Sequence, residues 1–230
     1  WWDKDQGPIG GLKNPPEMKS WMRDVSLLMQ FGGLVWAAAT GWVFSLVYAI
    51  SMFFFWLYST PLARWKGSPV LSLNAIGIST GTNSVILGVL AGGGTFTFEI
   101  LIAAAGCGFV LLSLYPVSQI YQLKEDLERG DHTFAGHFGI KGVQQFFRGA
   151  FISGIGLIAF SMFAEMQYIS IGFAVMGTIA WIFLCFRIYR LRGREDEYEE
   201  VMKIKLVTSI LFVLFLIGIH SARYLNYGIV

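Results

Sequence analysis

Charge is what this sequence has least of. Asp, Glu, Lys and Arg supply 14% of its 230 residues, where a soluble globular chain carries about a quarter. With 55% hydrophobic residues and a mean hydropathy of +0.58, that shortage excludes an ordinary soluble domain. Cysteine is scarce too. Cys107 and Cys185 sit in separate apolar runs, with no second Cys two positions away and no His beside them. This excludes a disulfide framework and a thiolate metal site, and leaves both as small buried hydrophobes. His132, His137 and His220 have no ligand-like spacing. The net charge of +2, without basic residues gathered on one soluble face, argues against nucleic acid as a partner. There is no internal repeat. The chain begins Trp1-Trp2 without a Met, so an upstream segment is expected.

Long apolar runs are what is there. Seven of them, at about 25–40, 42–60, 70–91, 97–120, 143–164, 168–188 and 204–224, each approach the ~20 residues that cross a bilayer core. Gly41 is the break between the first two. The expected fold is an all-α polytopic membrane protein, a multi-helix transmembrane bundle. All but Arg223 of the 17 Lys and Arg fall on one side when the loops are made to alternate. By the positive-inside rule that side is cytoplasmic. The turns near Gly92–Thr97 and Glu165–Tyr168 then face outward, and Glu99 and Glu165 meet headgroups or water. The loop from Arg187 to Glu200, basic and then acidic, reads as solvated, with its basic half at the headgroups.

Three cytoplasmic segments carry unusual content. Asp3-Lys-Asp5 precedes a loop broken by glycines and by Lys13-Asn-Pro-Pro16. Its carboxylates read either as ordinary headgroup-level charge or as a site for a hard cation such as Mg²⁺, which takes oxygen ligands and shares them with substrate phosphates. Tyr58-Ser-Thr-Pro61-Leu-Ala-Arg64-Trp-Lys66 places two cations just past a span end. They read either as headgroup anchors or as a clamp on phosphate. The third, Tyr115-Pro-Val-Ser-Gln-Ile-Tyr-Gln-Leu-Lys-Glu-Asp-Leu-Glu-Arg-Gly-Asp-His-Thr133, continues an apolar run. Read as one α-helix, it aligns Tyr115, Gln119, Gln122 and Asp126 on a polar stripe, with Glu125, Glu128 and Asp131 set among Lys124 and Arg129. Polar groups at membrane depth are costly unless they face a cavity or a partner. Two acidic segments and one basic segment at one membrane face suggest a ligand with a charged head and a greasy tail. A metal-bound isoprenoid diphosphate and a phospholipid both fit.

These segments resemble the UbiA superfamily of intramembrane prenyltransferases. Trp1-Trp-Asp3-Lys-Asp5 resembles the tail of the family's first Asp-rich motif, NDxxD. Tyr58 to Lys66 resembles its Y-x-x-P-x-x-R/K-x-K segment, and Gln122 to Thr133 its second motif, DxxxDxxxGxxT. Aligned on Gly130 and Thr133, the second motif's Asp pair falls on Gln122 and Asp126, so its first Asp is a Gln here. The resemblance implies a nine-span fold, of which 1–230 is a single domain supplying seven spans, truncated at its N-terminus so that the first span and most of the second are missing. It implies Mg²⁺ held by Asp3, Asp5, Gln122 and Asp126, with Asp3, Gln122 and Asp126 catalytic. Substrate contacts are expected from Lys13, Tyr58, Arg64, Lys66, Tyr115, Gln119, Lys124, Arg129 and Asp131. The carboxylates of Asp3 and Asp126 should then lie within about 12 Å of each other. Phe53, Phe54, Phe55, Trp56 and Tyr58 are candidates for the wall around an allylic cation. The implied partners are a prenyl diphosphate, a lipophilic acceptor and membrane lipid, in a bacterial or archaeal inner membrane and in a pathway such as quinone biosynthesis. The alternatives are a transporter, for which Asn74, Thr80, Thr82 and Asn83 around Gly77 and Gly81 are the polar cluster, and a non-catalytic membrane protein.

Overall fold

The computed structural model describes residues 12–17 and 19–227, which include no strand. Helix α1 (Ser20–Thr40) and helix α2 (Trp42–Ser59) are separated by Gly41 alone. That residue sits at φ 148°, ψ 158°, a conformation open to glycine and not to residues with a Cβ. The two helices fold back on each other. Tyr48 Oη donates to the Gln30 carbonyl at 3.3 Å, and a Cβ at Gly33 would overlap the Tyr48 hydroxyl.

The third apolar run forms α3 (Pro69–Ile76), a π-helical turn (Gly77–Thr82) and α4 (Asn83–Ala91). Pro69 opens it at the position where a missing N–H costs nothing. Helix α5 (Phe98–Leu114) starts at Thr97, whose side chain accepts from Ile100 N at 3.3 Å. The chain then narrows into a 3₁₀ stretch (Pro116–Gln122) before α6 (Leu123–Glu128). Helix α7 (Phe134–Phe163) is broken at Gly139 (φ 66°, ψ 180°), so its first turn lies apart from the membrane-crossing length. Helices α8 (Gln167–Tyr189) and α9 (Tyr198–Tyr227) complete the bundle.

Six spans among the described residues are long and apolar enough to cross a membrane: Trp42–Ser59, Pro69–Ala91, Phe98–Glu128, Phe134–Phe163, Gln167–Tyr189 and Glu195–Gly218. The run expected at 25–40 is helical as α1 but is not among them. Its N-terminal third carries Arg23 and Asp24, and Gln30 interrupts its middle.

The centre of the bundle is α7 against α5 and α8. Val143, Phe147, Phe151, Ile155 and Ile158 recur at helical spacing along the buried side of α7. They meet Val117 and Ile120 of the 3₁₀ stretch, Leu184 and Ile188 of α8, and Val201 and Ile204 of α9. Between apolar helices in lipid the gain comes from close packing rather than from hydrophobic transfer, and small residues permit the approach. Gly106 and Gly154 face each other so closely that a Cβ on either would stand 2.7 to 3.0 Å from atoms of the other helix. Gly81 meets the Cα of Gly108 in the same way, at 2.7 Å. Several polar groups inside the spans pair with one another or with backbone carbonyls, as lipid favours. Asn83 Nδ2 donates to Ser51 Oγ, and Ser51 Oγ donates to the Val47 carbonyl, both at 3.0 Å.

Candidate functional site

The site is built where the α2–α3 loop meets the α6–α7 turn. That turn follows from its sequence. Helix α6 stops because Gly130 takes up φ 73°, which lets Asp131 N reach the Asp126 carbonyl (2.9 Å) and Gly130 N reach that of Leu127 (3.1 Å). This is the double hydrogen bond of a Schellman stop. Three residues later Thr133 opens α7 by accepting from Gly136 N at 3.3 Å. The Gly and Thr of the second motif are thus a helix stop and a helix start. Between them they hold Asp126 and Asp131, each only 5% exposed.

Buried carboxylates need partners, and here the partners are arginines. Arg129 Nη2 lies 2.8 Å from Asp126 Oδ1, and Arg129 Nη1 lies 3.3 Å from Glu125. The Thr133 hydroxyl also hydrogen-bonds Asp126, and Lys66 is near enough to act on its charge. Asp131 accepts both ends of a fork from across the loop gap: Arg64 Nε to Oδ1 at 3.0 Å and Arg64 Nη2 to Oδ2 at 3.1 Å. Gly67 completes the junction. Its carbonyl accepts from His132 N at 3.1 Å, and a Cβ on it would stand 2.9 Å from Asp131 Oδ1.

One layer deeper, Tyr58 Oη and Tyr115 Oη share a hydrogen bond of 3.1 Å, with Ser72 and Gln119 also within hydrogen-bonding reach of Tyr115. Gln119 is buried, and its Oε1 accepts from Ala135 N at 3.1 Å, so it caps the start of α7. The reading of this stretch as one α-helix is corrected. Pro116 has no N–H to continue the ladder of α5, and residues 116–122 tighten to 3₁₀. With three residues per turn, Gln119 and Gln122 still fall on one face, Gln119 buried and Gln122 half-buried.

The structure therefore brings together Tyr58, Arg64, Lys66, Tyr115, Gln119, Asp126, Arg129 and Asp131. Lys13 and Lys124 are engaged elsewhere. Lys13 pairs with Glu199 at 3.2 Å and Lys124 with Glu195 at 3.5 Å, all four side chains being well exposed. Asp3 and Asp5, and with them the expected approach of Asp3 to Asp126, lie outside the described residues. Of the five aromatic wall candidates, Phe54 and Tyr58 turn inward one helical turn apart, while Phe53, Phe55 and Trp56 are exposed. Phe54 meets the Trp65 ring edge-on, with centroids 6.0 Å apart.

Sequence reasoning missed the α8–α9 loop, which is folded rather than simply solvated. Glu197 is buried, and its carboxylate accepts from the backbone N–H groups of Arg192, Gly193 and Arg194 at 2.8 to 3.1 Å. This holds Tyr198 edge-on to Tyr121 of the 3₁₀ stretch, with centroids 5.1 Å apart. The sequence carries little signal of it: Glu197 stands at the third position of the turn, as in a capping box, but Arg194 before it is a donor only and cannot accept the reciprocal bond.

This fold and junction belong to a polytopic membrane protein with a charged cluster at the ends of its helices. The chain belongs to the UbiA prenyltransferase family, whose model matches residues 22–223. No curated protein matches it, and no solved structure does.

Enzymes of this family generally use Mg²⁺. Among the described residues no three His, Cys, Asp or Glu are placed to hold a metal ion. What the second motif offers is the Asp126 carboxylate and, one turn before it, the Gln122 amide. That donor set fits Mg²⁺ brought on a phosphate, because this ion keeps water and phosphate ligands and asks the protein for only one or two carboxylates.

Proposed function

We propose that the protein transfers a prenyl group from an isoprenyl diphosphate to an aromatic or other lipophilic acceptor within the membrane, with Mg²⁺, at a site opening to the cytoplasm. The observation that carries this reading is the junction itself. The loop bearing Arg64 and Lys66 is docked onto the turn bearing Asp126, Arg129 and Asp131, at the end of apolar helices.

The chemistry follows from that placement. Arg64 and Lys66 supply positive charge where a diphosphate headgroup would arrive from the bilayer surface. Asp126, with Gln122 beside it, would hold Mg²⁺, which supplies charge neutralisation to the diphosphate. As the allylic C–O bond breaks, its electron pair leaves with the diphosphate, and fixed cations favour that charge more in the transition state than in the ground state. Phe54, packed edge-on against Trp65, and Tyr58, bonded to Tyr115, would supply aromatic wall that excludes water from the allylic carbon. A nucleophilic carbon of the acceptor then bonds to that carbon and gives up a proton to solvent or to the departing diphosphate.

Membranes containing the protein, incubated with isotope-labelled prenyl diphosphate and Mg²⁺, test the reading. Label in a lipophilic product together with free diphosphate is the expected result. Passage of intact label across the membrane without diphosphate release would establish a transporter instead.

A further inference from the structure

The junction contains a residue whose chemistry the proposed reaction does not itself require. Asp131 is buried beside Asp126, and both its oxygens are hydrogen-bonded by the Arg64 guanidinium, with Arg129 Nε farther off, 3.8 Å from Oδ2. The partner, Arg64, has φ 43° and ψ 47°, the only non-glycine residue with positive φ among the described residues. A residue with a long side chain avoids this region and persists there only when its surroundings hold it. The surroundings are visible. Arg64 N and Ala63 N both donate to the carbonyl of Thr60, at 2.7 and 3.3 Å, which closes the turn, and Asp131 takes the side-chain fork.

We propose that Asp131 is a positioning residue: it fixes the Arg64 guanidinium at the junction and so sets the affinity for the diphosphate, rather than binding metal or substrate itself. This rests on the diphosphate site proposed above. Three features support the assignment. Asp131 faces Arg64 from a Schellman turn in which its own N–H is tied to the Asp126 carbonyl, fixing the backbone from which the carboxylate projects. The fork spends two of the five N–H donors of Arg64 on Asp131. The Arg64 side chain is 43% exposed while that of Asp131 is 6% exposed, so a guanidinium anchored from below keeps an outer edge open to solvent. An anchored guanidinium loses less freedom on binding an anion than a loose one, which is the advantage of preorganisation.

The test is calorimetric titration of the full chain in detergent with Mg²⁺ and inorganic pyrophosphate, on wild type, Asp131→Asn, Arg64→Gln and the double variant. Each single change is expected to weaken pyrophosphate binding by roughly tenfold, with the double variant no weaker than the worse single, because coupled residues are not additive. If Asp131→Asn fails to fold, Asp131→Glu, Arg64→Lys and their combination give the same comparison. Losses that multiply in the double variant would overturn the positioning role while leaving the diphosphate site standing. So would unchanged pyrophosphate affinity in variants that merely unfold at lower temperature. A wild-type protein that binds no pyrophosphate would overturn the diphosphate reading, and this inference with it.

Discussion

Asp126 is where residue chemistry weighs most. Of the two aligned acidic positions of the second motif, it alone is anionic, since Gln122 carries no charge. Asp126→Ala is expected to reduce Mg²⁺-dependent diphosphate release by roughly 10²–10³-fold, the scale of losing a group that stabilises developing charge. Near-normal turnover in that variant would remove this turn as the metal-facing part of the site. Gln122→Asp is expected to keep activity, because it restores a second carboxylate at a half-exposed position. Gly130 makes a different prediction. A Cβ there meets no neighbour, so Gly130→Ala should cost only the left-handed conformation, about 1–2 kcal/mol, read as a lower unfolding midpoint in detergent. What the sequence showed at this scale was residue type and spacing: Asp126, Gly130 and Thr133 stood out. The pairing of Arg64 with Asp131 was hidden, because 67 positions separate them and nothing in either segment names the other.

Among the elements, the 3₁₀ stretch decides how the site is presented. The resemblance implies a substrate contact for Gln119; its observed engagement is the cap on α7 through Ala135 N. Ala135 is fully buried, so Gln119→Ala leaves a backbone donor without an acceptor and should cost about 1–3 kcal/mol. Gln119→Met keeps the bulk but not the acceptor oxygen and should lose about as much stability. Comparing the thermal unfolding of the two variants separates capping from bulk. The element boundaries were legible where glycine or proline forces a break, as at Gly41 and Pro69. They were not legible at Pro116, where an apolar run continues through the proline and periodicity alone cannot tell a 3₁₀ turn from an α turn. The α8–α9 loop was misread for a related reason. A run of charges looks solvated until Glu197 is seen folding back onto its own backbone.

At the scale of the whole molecule, the asymmetry of charge constrains topology. The α2–α3 loop and the α6–α7 turn are in direct contact through Arg64, Gly67, Asp131 and His132. They therefore lie at one membrane face, and the Gly92–Gly94 turn, one span away from each, lies at the other. Geometry ties the two loops to the same side, and from the distribution of Lys and Arg we propose that this side is cytoplasmic. A reporter fused after Lys66 or after Gly139 is expected to score cytoplasmic, and one fused after Gly93 external. The first two fusions must agree whatever the orientation, because the Arg64–Asp131 pair cannot form across a bilayer. Disagreement between them would break the junction on which the site depends. Agreement on the external side would keep the junction and reverse the molecule, placing the diphosphate site on the face where the charge asymmetry puts only Arg223.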